Sequence, residues 1–283
     1  MKGTLIALFV ALAAMQYCQA KSDPLHYYHK YIANHATPNP SVPLRTHYKN
    51  ERMLRNKAYN FKNEEYKLNS NDGKNALHGL VYNKKFEVVK KTENKNYAKV
   101  VIIYKETKKH QGFPFTYNVQ LTYTLFKDEI NLSVNIKNTD SNSFPYTLGW
   151  HPYFYSDKLK ECLLKFKSDK KIEFDEDLIT KRVIDIKTND EFKIEDKQLD
   201  DCFVLNSDNI EFLTPNYQIE IKSNQRDNYL QLYTPKDLPI IAIEPMTGIS
   251  NSHNNKIGLQ VLGPKKSHSL IWSVKLINKN NYK

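Results

Sequence analysis

The sequence is poor in the residues that mark several common functional classes. It has three cysteines, Cys18, Cys162 and Cys202, with no CxxC and no clustered His/Cys spacing, so neither a zinc site nor a disulfide framework is indicated. Cys162 and Cys202 could pair in an exported protein, but spacing alone does not test the geometry a bridge needs. No glycine-rich phosphate loop is present and nothing is spaced like a Ser-His-Asp triad. Beyond the first 20 residues no run approaches the roughly 20 apolar residues of a membrane helix. No helical stripe exceeds about two turns, and no internal repeat is evident.

Other features are present and informative. The chain opens with Lys2, an apolar run from Leu5 to Met15, then Tyr17-Cys18-Gln19-Ala20. A basic start, a short apolar stretch and a small residue at the cut describe a secretory signal peptide. Residues 1–20 are therefore expected to be removed after Ala20, giving a secreted protein; Gln16-Tyr17 fits a lipoprotein cysteine at Cys18 poorly. Residues 21–50 are polar and punctuated by Pro24, Pro38, Pro40 and Pro43, which reads as an irregular arm. Residues 51–283 form one domain, within the size range of a single large β-sandwich. The net charge of +11 arises from lysines spread along the whole chain. Without a basic block set among nucleic-acid motifs, it speaks to solubility and non-specific contacts. Neither nucleic acid nor membrane is expected as a partner. Asn131-Leu132-Ser133 is a glycosylation acceptor, relevant only to a eukaryotic secretory route.

From residue 51 the pattern is β almost throughout. In Tyr117–Phe126 the residues Val119, Leu121, Tyr123 and Leu125 alternate with Asn118, Gln120, Thr122 and Thr124. Ile130, Leu132, Val134 and Ile136 repeat this against Asn131, Ser133, Asn135 and Lys137. Period two with one wet face marks half-buried antiparallel strands, here joined by a short Lys127-Asp128-Glu129 hairpin link. Further strands are expected at 99–105, 163–167, 217–222, 229–233, 240–244 and 270–277. Gly112, Pro114, Gly248, Gly263 and Pro264 punctuate the turns. Many strands without crossover helices indicate an all-β sandwich or barrel.

Five polar residues stand at strand ends or in loops beside small or aromatic neighbours: Arg55 in "MLRNKAYNF", His78 in "NALHGL", His151 in "GWHPYF", Asp200 in "LDDCFVL" and Glu244 in "AIEPMTG". Singly, each has an ordinary explanation as a surface charge, a turn residue or a cap. Together, and in this order, their segments resemble the aldose 1-epimerase (galactose mutarotase) family from about Arg55 to Ile277. "GFPFTYNVQLTYTL" and "IEPMTGISNSHNN" extend the resemblance between and beyond the polar positions. It implies a large antiparallel β-supersandwich, an isomerase acting on a monosaccharide, and no metal or organic cofactor. By resemblance Glu244 is the catalytic base and His151 the catalytic acid, on opposite sides of the sugar. His78, Arg55 and Asp200 would bind substrate, with Arg55 also favouring ionised Glu244. Asp201 rivals Asp200 in the two-aspartate motif. Trp150 and Tyr153 could form a sugar-facing wall or belong to the core, and Arg52 reads as a surface residue. The family has several strands ahead of its arginine where this chain has the arm, which implies a trimmed first edge and a sheet margin open to pairing.

These residue types suit the chemistry. Interconverting α and β anomers opens a hemiacetal and recloses it on the other face. The anomeric hydroxyl loses a proton while the ring oxygen gains one, work for a carboxylate and an imidazole within hydrogen-bond reach. The expected reaction is thus α/β interconversion of a free hexose such as glucose or galactose. Three other readings remain open: a hexose-6-phosphate epimerase, a non-catalytic carbohydrate-binding protein on the same scaffold, and a hydrolase or lyase, for which no second carboxylate is evident.

Overall fold

The computed structural model describes residues 53–187, 190–225 and 228–277. The leader, the arm and Arg52 lie outside the described residues. Strand alternation dictates the architecture: two antiparallel sheets face each other across one apolar core. The larger has nine strands, in the order Glu191–Lys193, Leu163–Lys165, Asn209–Leu213, Gln218–Ser223, Ser267–Ile277, Glu129–Asn138, Tyr117–Leu125, Ala98–Glu106 and Glu87–Glu93. The smaller has six, in the order Tyr153–Tyr155, Ile240–Met246, Asn228–Tyr233, Asp200–Leu205, Lys170–Phe174 and Thr180–Asp185. This is an all-β supersandwich of the galactose mutarotase type.

The inward residues of the large sheet include Val119, Leu121, Tyr123, Leu132, Val134, Leu270 and Trp272, and those of the small sheet include Phe154, Ile241, Ile243, Leu230, Leu232 and Phe203. Each fully buried side chain of this kind contributes about 1.5–3 kcal/mol from removal of apolar area from water. Trp150 belongs here as well, with its ring stacked 6.5 Å from that of Trp272. Of its two readings, wall and core, the core is the observed one.

A second, smaller apolar cluster lies on the opposite face of the six-stranded sheet and is built from Ile172, Cys202, Met246 and Ile249. Cys162 and Cys202 form no disulfide; they are buried in different clusters. At the margin of the large sheet, Glu87–Glu93 carries exposed Val88 and Val89 where its register shifts between Val88 and Lys90. The bulge and the adjacent Lys90 and Lys91 hinder addition of a further strand.

One buried charge pins the open end of the hairpin formed by Tyr117–Leu125 and Glu129–Asn138. The Asp140 carboxylate accepts the backbone N–H of Thr116 and of Asn142 and pairs with Lys109 Nζ at 3.1 Å. Burial opposes its ionisation most strongly. The Asn142 N–H, the Lys109 ammonium and the Thr116 N–H outweigh it and hold the carboxyl at about 2. A depressed folded-state pKa stabilises the fold above the ordinary carboxylate range and loses that contribution as pH falls through the folded value. Asp140→Asn should therefore cost about 2 kcal/mol at neutral pH. The deficit relative to wild type should shrink between about pH 4 and pH 2, as read by denaturant titrations at each pH.

Candidate active site

Strand register brings the central pair together. Tyr153 pairs with Ala242 and Tyr155 with Ile240, and an isolated bridge joins Gly149 to Met246. Between those points Trp150 N–H donates to Pro245 O at 3.1 Å and Ile243 N–H to Pro152 O at 3.3 Å. The same register sets His151 directly across from Glu244, and directly opposed side chains share one face of a sheet. His151 Nε2 lies 3.2 Å from Glu244 Oε1, with the side chains 6% and 2% exposed. A carboxylate withdrawn so far from water needs a donor to offset its desolvation, and the cross-strand imidazole supplies one. The two groups are thus in direct contact. Register leaves nothing between them.

The polar row continues across the sheet. Gln231 pairs with Glu244 on its other flank, and Cys202 with Gln231. Gln231 is fully buried, and its Nε2 donates to Asp200 Oδ1 at 2.9 Å and to Leu232 O at 3.0 Å. Parallel to this row runs another in which Tyr153 and Tyr233 flank Ala242 and Tyr233 pairs with Asp200. The Tyr153 ring lies 4.7 Å from the His151 ring, so of the two aromatics considered from sequence it is Tyr153 that borders His151. Alternation separates the two aspartates: Asp200 reaches Gln231, while Asp201, on the other face, pairs with Lys171.

His78 joins from a loop. It and Gly79 have φ of +67° and +68°, a left-handed turn that suits glycine and costs a histidine some strain. Asn71 braces this turn. Its Oδ1 accepts the Leu77 N–H at 2.6 Å, and its Nδ2 donates to Leu77 O at 2.8 Å and to the Tyr82 hydroxyl at 3.0 Å. The His78 ring is thereby held 6.2 Å from the His151 ring.

Arg55 follows the short strand Met53–Leu54, which pairs with Ala76–Leu77 just ahead of His78. Its backbone N–H donates to Asn251 Oδ1 at 3.4 Å, in the loop after the Glu244 strand, and the Asn56 N–H donates to Asn75 Oδ1 at 2.9 Å. That loop packs closely: a Cβ on Gly258, at φ +72°, would lie 2.5 Å from Gly248 Cα. The guanidinium of Arg55 bonds Asp175 rather than Glu244. Asp175 begins the turn beyond a register shift at Glu173/Phe174, and that turn carries its carboxylate to the arginine.

Three residues of this surroundings went unnoticed in the sequence: Gln231, Tyr233 and Asp175. For the first two a signal existed. In "NYLQLY" the leucines mark the core face, so Tyr229, Gln231 and Tyr233 must share the other. Asp175 had none, because its pairing depends on a loop 120 positions away in sequence. Among the described residues no group of three or more His, Cys, Asp or Glu side chains is arranged to hold a metal ion, and no described helix is long and apolar enough to cross a membrane.

Comparison with known proteins points to one family. The sequence model of aldose 1-epimerase matches residues 51–275. A galactose mutarotase-like protein from Clostridium acetobutylicum is similar in structure, with a TM-score of 0.72 at 19% identity over 82% of this chain and 78% of that one. A galactose 1-epimerase from Lactobacillus acidophilus gives 0.68 at 16% identity over 80% and 77%. An aldose epimerase homologue from C. elegans gives 0.67 at 17% identity over 81% and 80%. These identities carry the fold, and the match over residues 51–275 carries the membership: the chain belongs to the aldose 1-epimerase family.

Proposed function

We propose that this protein is a secreted aldose 1-epimerase that interconverts the α and β anomers of a free hexose. The observation that supports this most directly is the buried contact between His151 and Glu244 on the small sheet. The anomeric oxygen and the ring oxygen of a pyranose are bonded to the same carbon. A carboxylate and an imidazole side by side can therefore address both at once, with no need to flank the sugar. Glu244 takes the proton of the anomeric hydroxyl as protonated His151 gives one to the ring oxygen, and the ring bond opens. After rotation about the first carbon–carbon bond, the two transfers run in reverse and the ring closes on the other face. One proton resides on the pair before and after, so no external acid or base is consumed.

The remaining residues bind. Asp200 accepts hydrogen bonds from sugar hydroxyls while the Gln231 amide orients its carboxylate. His78 donates to the ring oxygen or a neighbouring hydroxyl, and Arg55 stands at the rim. Tyr153 and Tyr233 offer aromatic faces to the apolar side of the sugar. Export rests on the sequence of residues 1–20.

Glu244→Gln should lower anomer exchange of α-glucose and α-galactose by about 10²–10⁴-fold, the range of general acid–base contributions, with an unchanged circular dichroism spectrum. Exchange-NMR rates that remain at the wild-type value would reject the assignment, as would a wild-type protein that accelerates neither sugar nor its close relatives. Asp200→Asn should weaken hexose binding in calorimetric titration by about tenfold or more. Asp201→Asn, on the other face of the strand, should leave it within twofold of wild type, since its ion pair with Lys171 is turned away from the sugar.

A further inference from the structure

Arg55 is the one site residue with a permanent positive charge, and a guanidinium near a sugar site is ordinarily an invitation to phosphate, whose oxygens it binds in bidentate fashion. Here that capacity is already engaged. The two oxygens of Asp175 have separate tasks: Oδ1 accepts the N–H groups of Asp177 and Ile179, each at 3.0 Å, and Oδ2 takes the Arg55 guanidinium. Burial works against ionisation of Asp175 as the largest influence, but the Ile179 N–H, the arginine and the Asp177 N–H together hold its carboxyl below the usual range. At neutral pH the carboxylate is therefore charged and cancels the arginine.

The surroundings reinforce the cancellation. Next to Asp175, an open cavity of about 430 Å³ is lined by Asp72, Lys74, Asn75, Glu176 and Asp177 among others. Asn75 is the residue that accepts the Asn56 N–H, so the cavity adjoins the Arg55 turn. Three of its lining residues are carboxylates, and its lysine, Lys74, is paired with Asp177 at 2.8 Å. In a chain of net charge +11, the approach beside Arg55 is thus locally anionic.

We propose that Asp175 is a specificity-determining positioning residue: by neutralising Arg55 at the rim, it reserves the site for uncharged hexoses and turns away hexose phosphates. This rests on the sugar-site reading of the preceding subsection and names the charge class of its substrate. Asp175 acts through Arg55 and touches no reacting atom.

Asp175→Asn is the discriminating change. The asparagine Oδ1 can still accept from Asp177 and Ile179, so the turn is retained, while the charge opposite Arg55 is lost. The expected result is a fall of about tenfold or more in KM for glucose 6-phosphate, with kcat for glucose within about threefold of wild type. Asp175→Glu should restore the preference for the uncharged sugar. Titration with inorganic phosphate supplies an arm that needs no turnover. Asp175→Asn should bind it at least about tenfold more tightly than wild type, and adding Arg55→Gln should abolish that gain. A wild-type enzyme that uses glucose 6-phosphate as well as glucose would overturn the proposal. So would an Asp175→Asn protein with unchanged phosphate affinity, or a gain that survives Arg55→Gln. Should neither sugar be turned over by any form, the epimerase reading falls, and the phosphate titration still decides the role of Asp175.

Discussion

The arrangement depends on one register. With Gly149 across from Met246 and Tyr153 across from Ala242, His151 can only stand opposite Glu244, and a slip by one residue would leave the two side chains on opposite faces of the sheet. Backbone pairing therefore does what side-chain flexibility cannot: it delivers an imidazole to a carboxylate that is otherwise almost cut off from water. The cost of burying Glu244 is met by His151, and the small sheet is held in place by the apolar layer on its inner side. Pro245 fits this strand because its carbonyl, which accepts from Trp150, is the group the pairing uses there.

Around that fixed pair the loops are tied to one another by asparagines and one aspartate. Asn71 shapes the His78 turn, Asn75 receives the backbone beside Arg55, and Asn251 reaches the Arg55 N–H from the loop after the strand that carries Glu244. Asp175 closes the ring from the far end of the small sheet, where Thr180 Oγ1 and Ser250 O are joined at 2.7 Å. Short polar side chains bonded to backbone groups suit this task, since they hold irregular segments without requiring a core of their own. The site thus has a rigid centre on strands and a rim made of tethered turns.

How much could be read in advance differed by element for physical reasons. Tyr117–Leu125 and Glu129–Asn138 were evident because each has one wet and one buried face. Asp200–Leu205 was not, since Cys202 and Phe203 are both buried and no alternation survives. Glu87–Glu93 and Thr180–Asp185 lie at sheet margins, where exposure on both faces erases the pattern. Among site residues, His151, Glu244, Asp200 and His78 were named through their segments. Gln231 and Tyr233 carried a signal in their alternation with leucines, and Asp175 carried none.

What the sequence determined by itself was the class of fold and the chemistry available: period-two alternation specifies half-buried strands, and five ordered polar segments specify a family. It could not determine who touches whom. That His151 meets Glu244, that Arg55 meets Asp175, and that Trp150 packs inward while Tyr153 borders His151 were decided by cross-strand register and by turns far apart in the chain. Local pattern reports which face of a strand is wet; only the closing of two sheets on one core brings distant strands into register and sets the partner of each charge.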